Sequence, residues 1–276
     1  MRFGCRFNAL DVTASIAEAF KAVNAVRGTT FDKSQQPLPA VVAASGQGKT
    51  EVLRWIREDD GESLHQSLID ALNSGPSLPK IKHIAPLMAS FNQGTYFHAD
   101  RDIRADAALI SRLIPDYYGR KFINTLKISN DLTLQTLTAF IRNEVATAKR
   151  ILPKEVAVVL LVDEIGKITG DMYRDVLISI CNVMHSDCSD GFATIPVVTS
   201  LEMTSIFDYV TTKSRRPLIP IRLSPVSVDE SMRVIGMVEM SLIQGFPSES
   251  MRNQARARCM FLALSYLNRL RSLEVF

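Results

Sequence analysis

Several residue patterns that mark common protein classes are absent from this chain of 276 residues. The four cysteines, Cys5, Cys181, Cys188 and Cys259, form no CxxC pair, which favours reduced thiols over a disulfide framework or a zinc site. No histidine pair has metal-ligand spacing, and no nucleophile elbow supports Ser-His-Asp catalysis. No apolar run reaches the roughly 18 residues that cross a bilayer, and the first residues contain no hydrophobic signal core. We therefore expect a soluble intracellular protein, cytoplasmic or nuclear, with no membrane partner.

Neither sign of charge is in large excess. The chain has 32 Lys and Arg against 29 Asp and Glu, and the resulting net charge of +3 does not by itself indicate a nucleic-acid partner. Hydrophobic residues make up 46% and charged residues 22%, which are ordinary globular values and argue against extensive disorder. A chain of this length can bury one large core, or one core and a small satellite.

Short apolar runs alternate with helical patterns along the chain. The five runs predicted as strands are PAVVAAS (39–45), IKHIAPLMASF (81–91), EVAVVLLVDE (155–164), ATIPVVTS (193–200) and RPLIPIRL (216–223). Helical spacing covers residues 11–26, 51–56, 105–118, 132–151, 171–184, 227–243 and 248–273. This alternation predicts an α/β fold with a parallel five-stranded sheet between helices. Pro86 argues against the first half of the second strand, and the polar residues 59–79 read as a turn-rich insertion.

Three regions follow from this pattern. Residues 1–36 are expected to form an N-terminal helix and linker, and residues 37–225 the core. Residues 226–276 are expected to form a helical, lid-like extension that is cut short.

The strongest motif is a glycine turn between the first strand and the next helix. Residues 43–50, AASGQGKT, match the phosphate-binding pattern GxxxxGK[ST], except that Ala43 replaces the first glycine. Gly46 and Gly48 let backbone N–H groups face the β-phosphate, at the positive end of the helix dipole. Lys49 would reach the β- and γ-phosphates, and Thr50 would bind Mg²⁺. The alternative is a chance glycine turn before a helix. The predicted nucleotide-binding set is Ser45, Gly46, Gln47, Gly48, Lys49, Thr50 and Glu51.

A second motif is the acid pair that ends the third apolar run. Asp163 at the end of VVLLVD would hold Mg²⁺ through a water, and Glu164 would activate the attacking water as catalytic base. Alone, such a pair is more often the start of a loop or a helix cap. Because parallel sheets bind ligands at the carboxyl ends of their strands, the upstream glycine turn favours the magnesium interpretation.

With these motifs in order, the chain resembles the NTPase modules of crinkler and retrotransposon-hot-spot proteins, on the AAA+/STAND side of the P-loop class. The resemblance covers about residues 39–225 and includes the segment Ser90–Thr95 and the helical residues Ala108–Leu113. It implies ATP as the nucleotide, since no NKxD guanine-reading segment occurs. Ala43 departs from the family pattern, no effector domain is recognisable, and the arginine-rich C-terminal helix ends early.

The resemblance adds two candidates. Thr199 or Ser200 follows the fourth strand, where AAA+ and related ATPases place a catalytic sensor residue between water and γ-phosphate; a helix N-cap at Ser200 is the alternative. Arg216 or Arg215 precedes the fifth strand, where AAA+ proteins place an arginine finger that serves a neighbouring subunit. The finger would imply a homo-oligomer, whereas the alternative is a solvated basic loop.

Three functions stay open at this point. The leading one is Mg²⁺-dependent ATP hydrolysis that drives movement of the C-terminal helices. The second is a nucleotide-gated interaction module with little or no turnover, and the third is an inactive paralogue. The sequence does not identify a nucleic-acid or protein substrate.

Overall fold

The structure is a computed structural model, and it describes part of the chain. The described residues are 9–43, 48–58, 63–75, 79–92, 97, 102, 104–119, 132–200, 210, 215–223, 248–251 and 253–254. Leu10–Leu223 form one compact unit, and Met1–Ala9 with Ser224–Phe276 form a second, of which only residues 9, 248–251 and 253–254 are described. The predicted helix 227–243 and most of 248–273 lie outside the described residues, and the predicted boundaries at 36/37 and 225/226 stay predictions.

A single parallel sheet organises the larger unit, which confirms the predicted α/β class. Its five strands lie in the order β2-β3-β4-β1-β5. Their bounds are β1 Leu38–Val42, β2 His83–Ser90, β3 Val156–Asp163, β4 Ala193–Thr199 and β5 Leu218–Arg222. Every residue of β3 and β4 is buried, so both faces of the sheet centre are covered, as expected for unbroken apolar runs.

Helices connect and cover the strands. They are α1 Ala9–Asn24, α2 Lys49–Glu58, α3 Ser63–Leu72, α4 Ala105–Tyr118, α5 Leu134–Lys149 and α6 Met172–Ser189. The prediction of a turn-rich insertion at residues 59–79 was wrong for its central part, because Leu64, Leu68 and Leu72 lie on one face of α3 and are buried. In the described part of the chain, no helix is long and apolar enough to span a membrane.

The strand β2 accommodates Pro86 because it lies at the edge of the sheet. The amide of Met88, two residues further on, points away from β3 and donates to Asp116 Oδ2 at 2.9 Å. Since alternate residues of a strand point their N–H groups to the same side, the ring nitrogen of Pro86 also faces outward and no ladder bond is lost. The carboxylate of Asp116 in turn binds Arg57 Nε at 2.7 Å, so α4 and α2 cover this edge.

A buried ion pair joins α5, α6 and β4. Arg142 Nη2 lies 2.5 Å from Asp187 Oδ2 and 2.8 Å from Thr194 Oγ1, and the Thr194 hydroxyl also donates to Asp187. The guanidinium stacks on the Phe192 ring, 4.5 Å from its centroid. Because Arg142 and Asp187 are both almost fully buried, each neutralises a charge that water cannot reach.

We predict that Asp187→Ala lowers the free energy of unfolding by about 3–5 kcal/mol, because it leaves the Arg142 charge buried without a partner. The matched control is Asp171→Ala, which breaks the exposed Arg174–Asp171 pair and should cost less than about 1 kcal/mol. Urea denaturation followed by far-ultraviolet circular dichroism measures both values. Equal, small losses in the two variants would contradict the assigned role of the buried pair.

Candidate functional site

The carboxylate of Asp163 is the centre of a polar cluster at the carboxyl end of β3. The side chain is fully buried, and the register places Ser90 of β2 beside it. The Thr50 hydroxyl lies 3.1 Å from both carboxylate oxygens, Thr199 donates to Oδ1 at 2.8 Å, and Ser90 donates to Oδ2 at 3.2 Å. Three hydroxyl groups from α2, β4 and β2 thus compensate the charge that burial removes from water.

Thr50 and Asp163 offer two oxygen ligands whose spacing fits Mg²⁺. Their oxygens are 3.1 Å apart, close to the spacing of about 3 Å between adjacent ligands in an octahedral site with bonds of 2.0–2.1 Å. Mg²⁺ commonly takes one or two protein oxygens and completes its shell with water and substrate phosphate. Among the described residues, no cluster of three or more His, Cys, Asp or Glu side chains offers a closed metal site. The chemistry of this pair therefore suits a metal shared with a substrate.

Glu164 follows Asp163 in a conformation that turns its side chain out of the strand. Its backbone is left-handed, with φ 57°, and its N–H donates to Thr199 Oγ1 at 3.0 Å. The side chain is only 6% exposed, yet Oε2 has no hydrogen-bond partner in the described part of the chain. Burial and then Asp163 raise the pKa of Glu164, whereas Lys167 and Lys49 lower it. A buried carboxylate oxygen in this state is a place where a water molecule binds.

Lys49 is the first residue of α2, and its side chain reaches back to the residue that precedes the glycine turn. Its side chain is buried and Nζ donates to the carbonyl of Ala43, immediately after β1, at 2.9 Å. Burial lowers the pKa of Lys49, while Glu164 and Asp163 act in the opposite direction. Gly48 has φ 96°, a conformation that favours glycine and explains this residue of the motif. The ammonium therefore lies between the start of the turn and the two acids.

The remaining predicted nucleotide-binding residues have different outcomes. Ser45, Gly46 and Gln47 lie outside the described residues, so their assignment stays a prediction. Glu51 is exposed and forms a loose ion pair with Arg54 at 4.0 Å. Its carboxylate stabilises the first turn of α2, and a contact with nucleotide also stays a prediction.

The sensor role of Thr199 stays a prediction, and the structure places its side chain against the two acids. The residue is fully buried, its hydroxyl donates its one proton to Asp163, and the same oxygen accepts the N–H of Glu164. In this structure the Thr199 hydroxyl therefore connects the side chain of Asp163 with the backbone of Glu164. Ser200 is also buried, and its Oγ lies 2.3 Å from where a Cβ on Gly166 would be, so only glycine fits there without a shift. The helix that Ser200 was expected to cap lies outside the described residues.

The arginine-finger prediction is wrong for Arg216. Its side chain is 1% exposed and lies before β5, at the amino ends of the strands. The guanidinium donates to Gln36 Oε1 at 3.0 Å, to the Gln36 carbonyl at 3.2 Å and to the Cys181 carbonyl at 3.3 Å. It thus ties the segment before β1 to α6 and does not face a second molecule. Arg215 is exposed, and its contact with a neighbouring copy stays a prediction.

Three polar residues near Asp163 were not assigned a role from sequence. Ser90 and Asn92 lie in the segment that resembles the crinkler-type pattern, and Lys167 follows the acid pair by three residues. Lys167 Nζ donates to Asn92 Oδ1 at 2.8 Å, which closes the site between the ends of β2 and β3. Their position at or just after the ends of strands indicated that they lie near the site. It did not indicate which side chains they contact.

Comparison with known proteins leaves the family open. No protein-family model matches the chain, and no curated protein matches it. The chain is similar to a Walker-type ATPase of Pyrococcus abyssi, with 11% identity and a TM-score of 0.48 over 98% of this chain and 74% of that chain. It is also similar to C. elegans PCH-2, with 13% identity and a TM-score of 0.41 over 86% of this chain and 48% of that chain. A chain of the HORMA:CdnC:Trip13 complex of E. coli MS115-1 shows 10% identity and a TM-score of 0.31 over 91% of this chain and 73% of that chain. The fold assignment rests on the strand order above, and the crinkler-type resemblance stays a prediction.

We predict that Thr199→Val lowers the free energy of unfolding by about 1–3 kcal/mol, because the Glu164 N–H loses its acceptor and Asp163 loses a donor. Valine keeps the shape of the threonine side chain, so packing changes little. Thr199→Ser, which retains the hydroxyl, is the control and should lose less. A valine variant as stable as the serine variant in chemical denaturation would show that the hydroxyl does not hold the acids.

Proposed function

We propose that the chain binds ATP with Mg²⁺ on the turn between β1 and α2 and hydrolyses it. The observation that supports this proposal is that Lys49, Thr50, Asp163 and Glu164 lie together at the carboxyl ends of the parallel strands. A glycine turn that opens a helix is suited to phosphate, because N–H groups and the helix dipole favour negative charge there. The donor pair of Thr50 and Asp163 is suited to the metal that accompanies a triphosphate.

Each side chain has a distinct task in this reaction. Lys49 exchanges the Ala43 carbonyl for phosphate oxygens, which are stronger acceptors for an ammonium group. Thr50 and Asp163 would hold Mg²⁺, which would supply positive charge against the negative charge of a bound triphosphate. Glu164 orients a water at Oε2, which has no hydrogen-bond partner among the described residues, and accepts its proton.

A nucleotide-gated switch with negligible turnover is the second candidate. The Lys49–Ala43 bond favours it, because a bound triphosphate would replace this bond and alter the turn without any bond cleavage. Ala43 in place of glycine also restricts the turn. The two candidates share their binding residues and differ only in whether Glu164 is used.

We predict that Lys49→Ala weakens ATP binding by about 2–3 kcal/mol, the value of a lost charge-assisted hydrogen bond. Titration calorimetry in the presence of Mg²⁺ measures the change, and titration with GTP in parallel tests the base preference. The exposed Lys82→Ala variant is the control for loss of one positive charge and should bind as the parent does. Equal affinities in the Lys49 variant and the parent would refute the phosphate-binding assignment.

We predict that Glu164→Gln retains ATP binding and lowers turnover by about 10²-fold or more, because the amide cannot accept the proton of water. Release of labelled phosphate under saturating ATP measures turnover. Asp171→Asn, which removes an exposed carboxylate on the surface, is the control for loss of one negative charge. If the parent binds ATP but releases no phosphate, the switch replaces the hydrolase as the proposed function.

A further inference from the structure

A cavity of about 620 Å³ opens next to Thr50 and Asp163, on the side of β2 and α4. The cavity is large enough to admit a phosphate group together with water. Three arginines line it, namely Arg54, Arg57 and Arg112. A phosphate held by Thr50 and Asp163 would therefore lie in the same cavity as these guanidinium groups.

The three arginines are held in different ways. Arg54 and Arg57 belong to α2, and their side chains are 59% and 32% exposed. Solvent weakens the field of such charges. Arg112 of α4 is only 7% exposed, so its charge acts in a medium that screens it far less.

Hydrogen bonds and a ring contact fix the guanidinium plane of Arg112, whose Nη1 donates to the Ala108 carbonyl at 2.5 Å and to Ser111 Oγ at 3.2 Å. Its Nη1 and Nη2 bind Asp102 Oδ1 and Oδ2 at 3.0 and 2.9 Å, in a two-contact ion pair. The same group lies over the Phe91 ring, 4.3 Å from its centroid. Phe91 follows Ser90 directly, and its N–H donates to the Asp163 carbonyl at 3.0 Å. A buried, oriented cation is therefore built on the residue next to the Asp163 cluster.

We propose that Arg112 is a catalytic residue that contacts the γ-phosphate of the nucleotide bound to its own chain. The proposal rests on the hydrolysis proposed above and supplies, within one chain, the positive charge expected from a finger that Arg216 cannot provide. In the reaction the bond from the γ-phosphorus to its bridging oxygen breaks, the bond to the water oxygen forms, and the water proton passes to Glu164. Arg112 gives up no proton, and its charge stabilises the oxygens of the transferring group. Asp102 orients it.

The test removes both charges of the pair together, because Arg112→Met alone would leave Asp102 buried and unpaired. We expect Arg112→Met with Asp102→Asn to lower turnover by about 10³-fold, the low end of the range for arginines in this role. Affinity for ADP should be unchanged, whereas the preference for ATP over ADP should fall, since only ATP carries the γ-phosphate. Arg54→Met, which removes an exposed arginine from the same cavity, is the control. Guanidinium ion at millimolar concentration should partly restore turnover in the double variant.

Further measurements separate this role from a structural one. Asp102→Asn alone keeps Arg112 but removes the carboxylate that orients it, so turnover should fall by less than in the double variant. The specific activity of the parent should not depend on protein concentration. If the double variant does not fold, Arg112→Lys keeps the charge and should lower turnover about tenfold, the effect of one lost hydrogen bond to a charged group. A folded double variant, or a lysine variant, with parental turnover and parental ATP preference would overturn the proposal. If the Arg112 variants keep parental turnover while Lys49→Ala and Glu164→Gln lose activity, the proposed function stands and only the role of Arg112 is refuted. Parental ATP binding in Lys49→Ala would refute both the proposed function and the role of Arg112.

Discussion

The buried carboxylate of Asp163 is the interaction on which the site depends. A charge at that depth is tolerated only with strong donors, and the hydroxyls of Thr50, Ser90 and Thr199 provide them. Each hydroxyl belongs to a different element, so satisfying one carboxylate fixes α2, β2 and β4 relative to β3. The same requirement makes the site ready for a cation, because a metal would compensate the charge that the hydroxyls now share.

The two acids at the end of β3 differ because their surroundings differ. Asp163 is the last residue of the strand and is enclosed by donors, whereas Glu164 is left-handed and keeps one buried oxygen without a partner in the described part of the chain. Backbone strain of this kind is maintained only where neighbours hold it, and the Thr199 hydroxyl does so by binding the Glu164 N–H. One acid is thereby suited to hold a cation and the other to accept a proton.

Arginine shows how tertiary context divides one residue type among several tasks. Arg142 closes a buried ion pair, Arg216 donates to carbonyl groups before β1, and Arg112 is oriented on an aromatic ring beside the Asp163 cluster. Motif position favoured Arg216 as the functional arginine. Burial and ring contact instead favour Arg112 of α4, which lies within the helical residues Ala108–Leu113 of the resemblance but had no role predicted from sequence.

The sequence by itself determined the five strands, most helices and the pairing of a glycine turn with an acid pair, because hydrophobic periodicity and glycine placement act over a few neighbouring residues. It did not identify helix α3, since polar residues there obscure the three buried leucines. Only the tertiary structure decided that Thr199 contacts both acids, that Arg216 is internal and that Arg112 lines the cavity. These features depend on contacts between side chains whose strands and helices are far apart in the chain. Local sequence patterns do not specify such contacts.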